Sequence, residues 1–352
     1  MDSEPTFYAD YRLPQRFELQ VYGYCVPMRH KFRGITQRSG LIIHGPAGWA
    51  EVSPFWDYDV PYSARWLIGG IDAAVNGLPA MRRSAIPVNV TIPAVAPETA
   101  YDIARAGVAK TAKVKIAESG QTLVQDCERL AAVRDALGPR ANIRVDANAR
   151  WSAEYAITAI AQLDQAAAGL EYVEQPCASV TELAHVRRSV SVPIAADESI
   201  RRSTDPFQVV AAEAADLVVI KNQPLGGVRA ALALAERLGL PVVVSSALES
   251  SAGLQAGLRC ASALPELPFA CGLATAQLLA NDVTTAPLLP TDGEIAVRDV
   301  NPDNLGEVGI SVDSPLRLRW ERRLADMWTY LRERGYVSNE AQFTWMDSTA
   351  EK

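Results

Sequence analysis

Histidine and cysteine are scarce in this chain, with three and five copies in 352 residues. The cysteines (Cys25, Cys127, Cys177, Cys260, Cys271) are widely spaced and form no C-x-x-C pair. That argues for reduced thiols and against a zinc site or a disulfide framework. His30, His44 and His185 are isolated, so the adjacent Ser245 and Ser246 have no base to activate them as nucleophiles. Of the three, only His30 is a candidate for touching substrate, through a capping loop, and the structural reading outweighs it. No apolar run is long enough to span a bilayer. A net charge of -7 and the lack of any basic run argue against a nucleic-acid surface. The start, Met1 to Pro5, has neither the basic residues nor the apolar stretch of a signal peptide, so the expected location is cytoplasmic. No G-x-G-x-x-G follows the first strand candidate, which leaves a dinucleotide fold without support. No protein partner is implied.

Five short apolar runs, each closed by a charge, recur at nearly even intervals. They end at Lys115 (Thr-Ala-Lys-Val-Lys), Asp146 (Ile-Arg-Val-Asp), Glu174 (Glu-Tyr-Val-Glu), Asp197 (Ile-Ala-Ala-Asp) and Lys221 (Leu-Val-Val-Ile-Lys). A plain apolar run is what a parallel strand needs, because helices cover both of its faces. A charge at its end is costly to desolvate unless something pairs with it or uses it. Such a charge at the ends of successive strands describes a site.

Amphipathic helices are predicted between the runs, over Thr122–Leu137, Ser152–Gln165, Val180–Val190 and Val228–Leu238. Ser152 and Ser203 are candidate N-caps and Gly239 is a stop. With Pro87–Ile92 before the runs and Pro241–Ser246 and Phe269–Leu273 after them, eight strands alternate with helices. That rhythm predicts an α/β fold, a (β/α)8-type barrel of modified (β/α)7β form, over residues 85–287. Residues 1–84 read as antiparallel strands and a helix. With 288–336 returning to pack on them, they form an α+β capping domain. Residues 337–352 read as a polar tail for which disorder is one option.

Side chains two apart on a strand share a face. Lys113 therefore accompanies Lys115, and Arg144 accompanies Asp146, toward the barrel mouth. Asp146, Glu174 and Asp197 on three consecutive strands would repel unless they take up protons or share a cation. An all-oxygen ligand set selects Mg²⁺ first and Mn²⁺ second. Lys115 and Lys221, on the strands flanking the trio, approach from opposite sides. A lysine whose pKa is lowered by a metal and a second ammonium is a competent base, and the metal would stabilise the charge left when a carboxylate substrate loses its α-proton. Glu198 points to the other face and reads as a structural ion-pair partner.

The K-x-K, D-x-N, E-Q-P, D-E-S and K pattern on successive strands resembles the enolase superfamily, whose habit is a lysine base with Mg²⁺. The likeness extends over essentially the whole chain and includes Pro27–Thr36, Pro224–Gly227 and Ser245–Ser251. It implies a barrel capped by a lobe from both chain ends and a small carboxylate substrate. The implied reaction is syn-dehydration of 2-succinyl-6-hydroxy-2,4-cyclohexadiene-1-carboxylate to the aromatic succinylbenzoate of menaquinone biosynthesis. On this resemblance Lys115 and Lys221 are catalytic, and Asp146, Glu174 and Asp197 hold the metal. Lys113, Arg144, Arg33, Ser245 and Ser246 contact substrate, with Arg33 on a mobile capping loop. Asn148-Ala-Arg150 departs from the glycine-richer turn expected after D-x-N. The same lysines would also serve an N-succinylamino acid racemase or dipeptide epimerase, although Cys271–Thr275 lacks the Asp-x-Asp expected of the latter. A metal-independent Schiff-base lyase stands further back.

Overall fold

The computed structural model describes residue 9 and residues 11–338 and 340–347. Its strands are β1 (Arg16–Phe32), β2 (Ile35–Gly45), β3 (Gly48–Val52), β4 (Ala85–Pro87), β5 (Val90–Ile92), β6 (Thr111–Lys115), β7 (Asn142–Asp146), β8 (Val173–Glu174), β9 (Ile194–Ala196), β10 (Leu217–Ile220), β11 (Val242–Val244), β12 (Glu294–Ala296) and β13 (Glu340–Trp345). The helices are α1 (Val60–Asn76), α2 (Pro97–Ala106), α3 (Leu123–Leu137), α4 (Ala153–Ala167), α5 (Val180–Ser189), α6 (Glu198–Arg201), α7 (Gln208–Ala211), α8 (Val228–Leu238), α9 (Ser251–Ala263), α10 (Leu305–Val308) and α11 (Pro315–Glu333).

Strands β5 to β11 form one parallel sheet in sequence order, which curls into a barrel. The expected eighth strand closes it with single-residue bridges only, Val88 to Cys271 and Ser245 to Gly272. The helices start where local chemistry lets them. Thr122 and Ser179 each build a capping box, and Ser152 caps α4 alone. Gly239 ends α8 in the left-handed conformation, as its position predicts. Ser203 does not cap a helix. Its hydroxyl accepts from the Asp205 amide inside a turn, which is the competing use of the same residue type.

The second sheet runs β13-β1-β2-β3 and carries the cap. Trp320, Leu324, Met327 and Leu331, spaced along one stripe of α11, are buried against this lobe. Two sequence expectations need correction here. Leu288, Ile295, Val297 and Val300 belong to the barrel core, and β12 pairs with β4, so the chain leaves the barrel later than residue 288. The tail expected from residue 337 includes β13, parallel to β1 from Arg16–Glu340 to Val21–Trp345. Ala341, Phe343 and Trp345 alternate onto the cap core, and the Phe343 ring meets Trp328 at 5.4 Å. Residues 339 and 348–352 of that segment lie outside the described residues.

Cap and barrel meet backbone to backbone. Gly226 and Gly227 both have positive φ (94° and 96°), and a Cβ on Gly69 of α1 would stand 2.6 Å from Gly227 Cα. Neither backbone can yield cheaply. We expect Gly69→Ala to cost about 1–3 kcal/mol, the range for overpacked sites. Denaturant unfolding that leaves its midpoint unmoved would show that this contact has slack.

Candidate active site

Burial along the strands explains how the charges are placed. Strand β6 is buried at every position except Lys115, and the pairs Lys113–Arg144, Lys115–Asp146 and Asp146–Glu174 lie in register across β6, β7 and β8. The three carboxylates are fully buried beneath a cavity of about 760 Å³ lined by Lys113, Lys115, Lys221, Ser245 and Ser246. Lys113 Nζ bridges Glu174 Oε1 at 2.6 Å and Asp146 Oδ2 at 2.9 Å. Lys115 Nζ donates to Asp146 Oδ2 at 2.5 Å and Asn148 Oδ1 at 2.8 Å. Lys221 Nζ donates to Asp197 Oδ2, whose Oδ1 accepts from Arg201 Nε at 2.9 Å. Lys115 and Lys221 thus reach the carboxylates from β6 and from the end of β10, on opposite sides of the sheet segment that carries them.

These contacts set the protonation states. Burial would raise Asp146, but Lys113 and Lys115 outweigh it and hold the carboxyl well below the usual range. Burial is likewise overcome at Asp197 by Arg201 and Lys221, and that carboxyl is also lowered. Glu174 goes the other way, pushed up to about 7 by burial and by Asp146, against the pull of Lys113. Lys115 is lowered by burial, with Lys113 adding to the fall and Asp146 opposing it. At Lys113 the carboxylates win over burial and its ammonium is held raised.

Among the described residues, no three acidic, histidine or cysteine side chains gather around one point at ligand spacing, because ammoniums stand between them. The donors nonetheless fit a hard dication. A cation, the Lys113 ammonium, already bridges two of the carboxylates, and Glu174 Oε2 is buried without a partner. Every available donor is oxygen, which suits Mg²⁺.

The remaining expected substrate contacts divide. Ser245 and Ser246 line the cavity, with Ser246 Oγ 2.6 Å from Thr275 Oγ1. Arg33 lines it from the β1–β2 tip, where it pairs with Asp57 at 2.9 Å and stacks on Phe55 at 3.9 Å. His30 also lines it. Lys113 lies on the floor, but its ammonium is committed to Glu174 and Asp146, so it balances charge there. Arg144 does not reach the cavity. It is fully buried, hydrogen-bonded to the Tyr172 hydroxyl and the Ala270 carbonyl at 2.8 Å and ion-paired with Glu171 at 2.7 Å. It shares a face with Asp146, yet two residues lower on the strand put it in the barrel interior.

Three residues that had no expected role in the site, Asn148, Gln175 and Arg201, complete it. Asn148, with φ 47°, accepts from Lys115 and donates to Glu198 at 3.3 Å. Ala149 also has positive φ (61°), so the chain makes here, with two non-glycine residues, the turn for which glycine was expected. Gln175, with φ 41°, accepts from the Asp197 amide at 2.9 Å and the Ser199 amide at 3.1 Å, tying the Glu174 strand to the Asp197 strand. Arg201 pairs with Asp197 and, at 2.6 Å, with Glu198, which lines the cavity as well as serving as an ion-pair partner.

A family model described as enolase C-terminal domain-like matches residues 96–314, and one described as enolase N-terminal domain-like matches residues 24–74. The o-succinylbenzoate synthase of Thermobifida fusca is 55% identical over 86% of this chain and 94% of its own length. That of Mycobacterium tuberculosis is 47% identical over 89% of this chain and 94% of its own length. Solved structures agree on the fold. A muconate lactonizing enzyme from Pseudomonas fluorescens has a TM-score of 0.73 at 20% identity, covering 84% of this chain and 100% of that one. A dipeptide epimerase from Enterococcus faecalis, complexed with Mg and a dipeptide, has a TM-score of 0.67 at 19% identity, covering 80% and 97%. The capped barrel, the lysine-flanked carboxylates and the close relatives agree: the chain belongs to the enolase superfamily, in the o-succinylbenzoate synthase family of carbon–oxygen lyases.

Proposed function

We propose that this chain catalyses the syn-dehydration of 2-succinyl-6-hydroxy-2,4-cyclohexadiene-1-carboxylate to o-succinylbenzoate in menaquinone biosynthesis. The observation that carries the reading is the pair of ammoniums, Lys115 and Lys221, reaching one carboxylate cluster from opposite strands beneath a single cavity. Asp146, Glu174 and Asp197 would hold Mg²⁺, which when bound supplies positive charge for the substrate carboxylate. Lys115 takes the proton α to that carboxylate and returns it to the departing hydroxide, so that water leaves. Lys221 stays cationic on the other side of the ring and offsets the developing negative charge. Ser245 and Ser246 face the cavity where the succinyl arm would lie. Aromatisation of the ring supplies much of the driving force.

Racemisation of N-succinylamino acids is the second reading, because two opposed lysines suit 1,1-proton transfer. Dipeptide epimerisation is less well served, since no carboxylate lies within Cys271–Thr275 to hold an α-ammonium. Purified protein with Mg²⁺ should convert the cyclohexadiene to the aromatic product, followed by ultraviolet absorbance, and EDTA should stop it. Failure to dehydrate, together with α-proton exchange of N-succinylamino acids in deuterium oxide, would put the racemase first. Turnover that survives EDTA would favour the Schiff-base lyase.

A further inference from the structure

Away from the lysines, the wall of the cavity formed by Ser245 to Leu248 needs its own support. Leu248 has φ 67°, a conformation a branched side chain keeps only where its surroundings enforce it. The enforcement comes from the cap. Arg38 of β2 donates from Nε to the Leu248 carbonyl at 2.8 Å and from Nη2 to the Ala247 carbonyl at 3.4 Å. Behind that guanidinium lie two buried carboxylates, Glu51 of β3 and Glu249 of the wall segment. Glu51 Oε1 accepts from the Tyr24 hydroxyl at 2.7 Å and the Ser53 hydroxyl at 2.5 Å. Its Oε2 accepts from the Ser250 amide at 3.0 Å, the Gly253 amide at 3.1 Å and the Ser250 hydroxyl. Glu249 Oε2 accepts from the Ala247 amide at 2.7 Å, while its Oε1 is buried without a hydrogen-bond partner. The space is full: a Cβ on Gly253 would lie 2.6 Å from Glu249 Cβ and 2.9 Å from Glu51 Oε2.

Two carboxyl groups face one guanidinium, so ionising both leaves a buried negative charge unmatched. We propose that Glu249, with Glu51 and Arg38, is a positioning clasp that fixes the Ser245–Leu248 wall to the cap and loosens when both carboxyls ionise. Burial raises the Glu51 carboxyl too, but Arg38 and five donors oppose it, so Glu51 keeps its charge at the lower cost. Glu249 has only the Ala247 amide and its own amide as donors, leaves Oε1 without a hydrogen-bond partner, and is the member that carries the proton. Burial, and then Glu51, pushes its carboxyl up to about 7. Tyr24 of β1 also faces the cluster and stays protonated, raised well above its ordinary value by burial and then Glu51. Arg38 is the cation facing it from β2, and the start of α9 contributes only the Ser250 and Gly253 donors. Glu249 is therefore the group of this cluster that titrates near neutrality.

The kinetic arm of the test rests on the proposed dehydration, and the exchange arm does not. At saturating Mg²⁺, KM of the wild type should rise about tenfold between pH ~6 and pH ~9 as the second carboxyl ionises, while Glu249→Gln, which cannot ionise, should hold KM flat. Hydrogen exchange of residues 245–250, corrected for its intrinsic pH dependence, should quicken over the same range in the wild type only. The sign for stability is fixed as well. The folded carboxyl keeps its proton to about 7 from an ordinary 4.5, so the wild type loses stability through that window and the Gln variant does not. If Glu249→Gln folds poorly, Arg38→Lys provides the second variant, since losing the fork should raise exchange in 245–250 at every pH. Superimposable KM and exchange profiles for wild type and Glu249→Gln would overturn the clasp. A complete lack of turnover would instead count against the dehydratase reading, and the exchange result would then decide the clasp alone.

Discussion

Replacing Lys115 by alanine should lower kcat by ~10³-fold, within the range for losing a general base in proton abstraction. Lys115 is the base of the proposed mechanism. Its ammonium lines the cavity, with the Phe32 ring 5.7 Å above it, and burial lowers its pKa. A lysine base works only without its proton. Turnover should therefore climb as pH rises toward the lowered pKa of Lys115 and level off beyond it. Lys115→Arg keeps a cation but cannot lose its proton under these conditions, so it should be as inactive as the alanine variant. Mg²⁺ binding should survive in both, which separates loss of chemistry from loss of the site. A variant without Lys115 that turned over at the wild-type rate would leave the proposed mechanism without its base.

Glu174→Gln should abolish saturable Mg²⁺ binding by calorimetry and lower turnover by about 10²-fold or more, as removal of several kcal/mol of metal assistance predicts. Glu174 is the carboxylate with the most to gain from a cation. Burial and the neighbouring Asp146 push it up to about 7, and one of its oxygens has no partner. A ligand must shed its proton to bind. Mg²⁺ affinity should therefore weaken as pH falls below about 7 in the wild type. Undiminished Mg²⁺ affinity in the Gln variant would mean that the metal sits elsewhere.

The site was legible in the sequence to the extent that it sits on strand ends. Thr111–Lys115, Leu217–Lys221 and the three acidic runs are apolar stretches closed by a charge, and strand periodicity shows which side chains share a face. It does not show how deep each one lies. Arg144 was read as a substrate contact because it keeps company with Asp146, but its place two positions lower on the strand puts it among Tyr172, Ala270 and Glu171. Gln175 and Arg201 escaped notice for another reason. Their roles are bonds to the Asp197 segment, made across strands or along a short helix, and no local pattern marks them. The C-terminal strand hid among polar residues because only its alternate positions, Ala341, Phe343 and Trp345, touch the core. Ser203 shows the converse failure, since the residue that starts a helix also closes a turn.

The Gly69–Gly227 contact has a consequence for how substrate enters. Gly227 follows Lys221 by one short turn of chain, so the lobe above the barrel is pinned beside Lys221. Swinging that lobe aside as a rigid body would drag Lys221 away from Asp197 and dismantle the site with each turnover. A movement that spares the Lys221–Asp197 contact would instead involve the β1–β2 tip, where Arg33 and Gly34 form the reversal and Arg33 is held by Asp57 and the Phe55 ring.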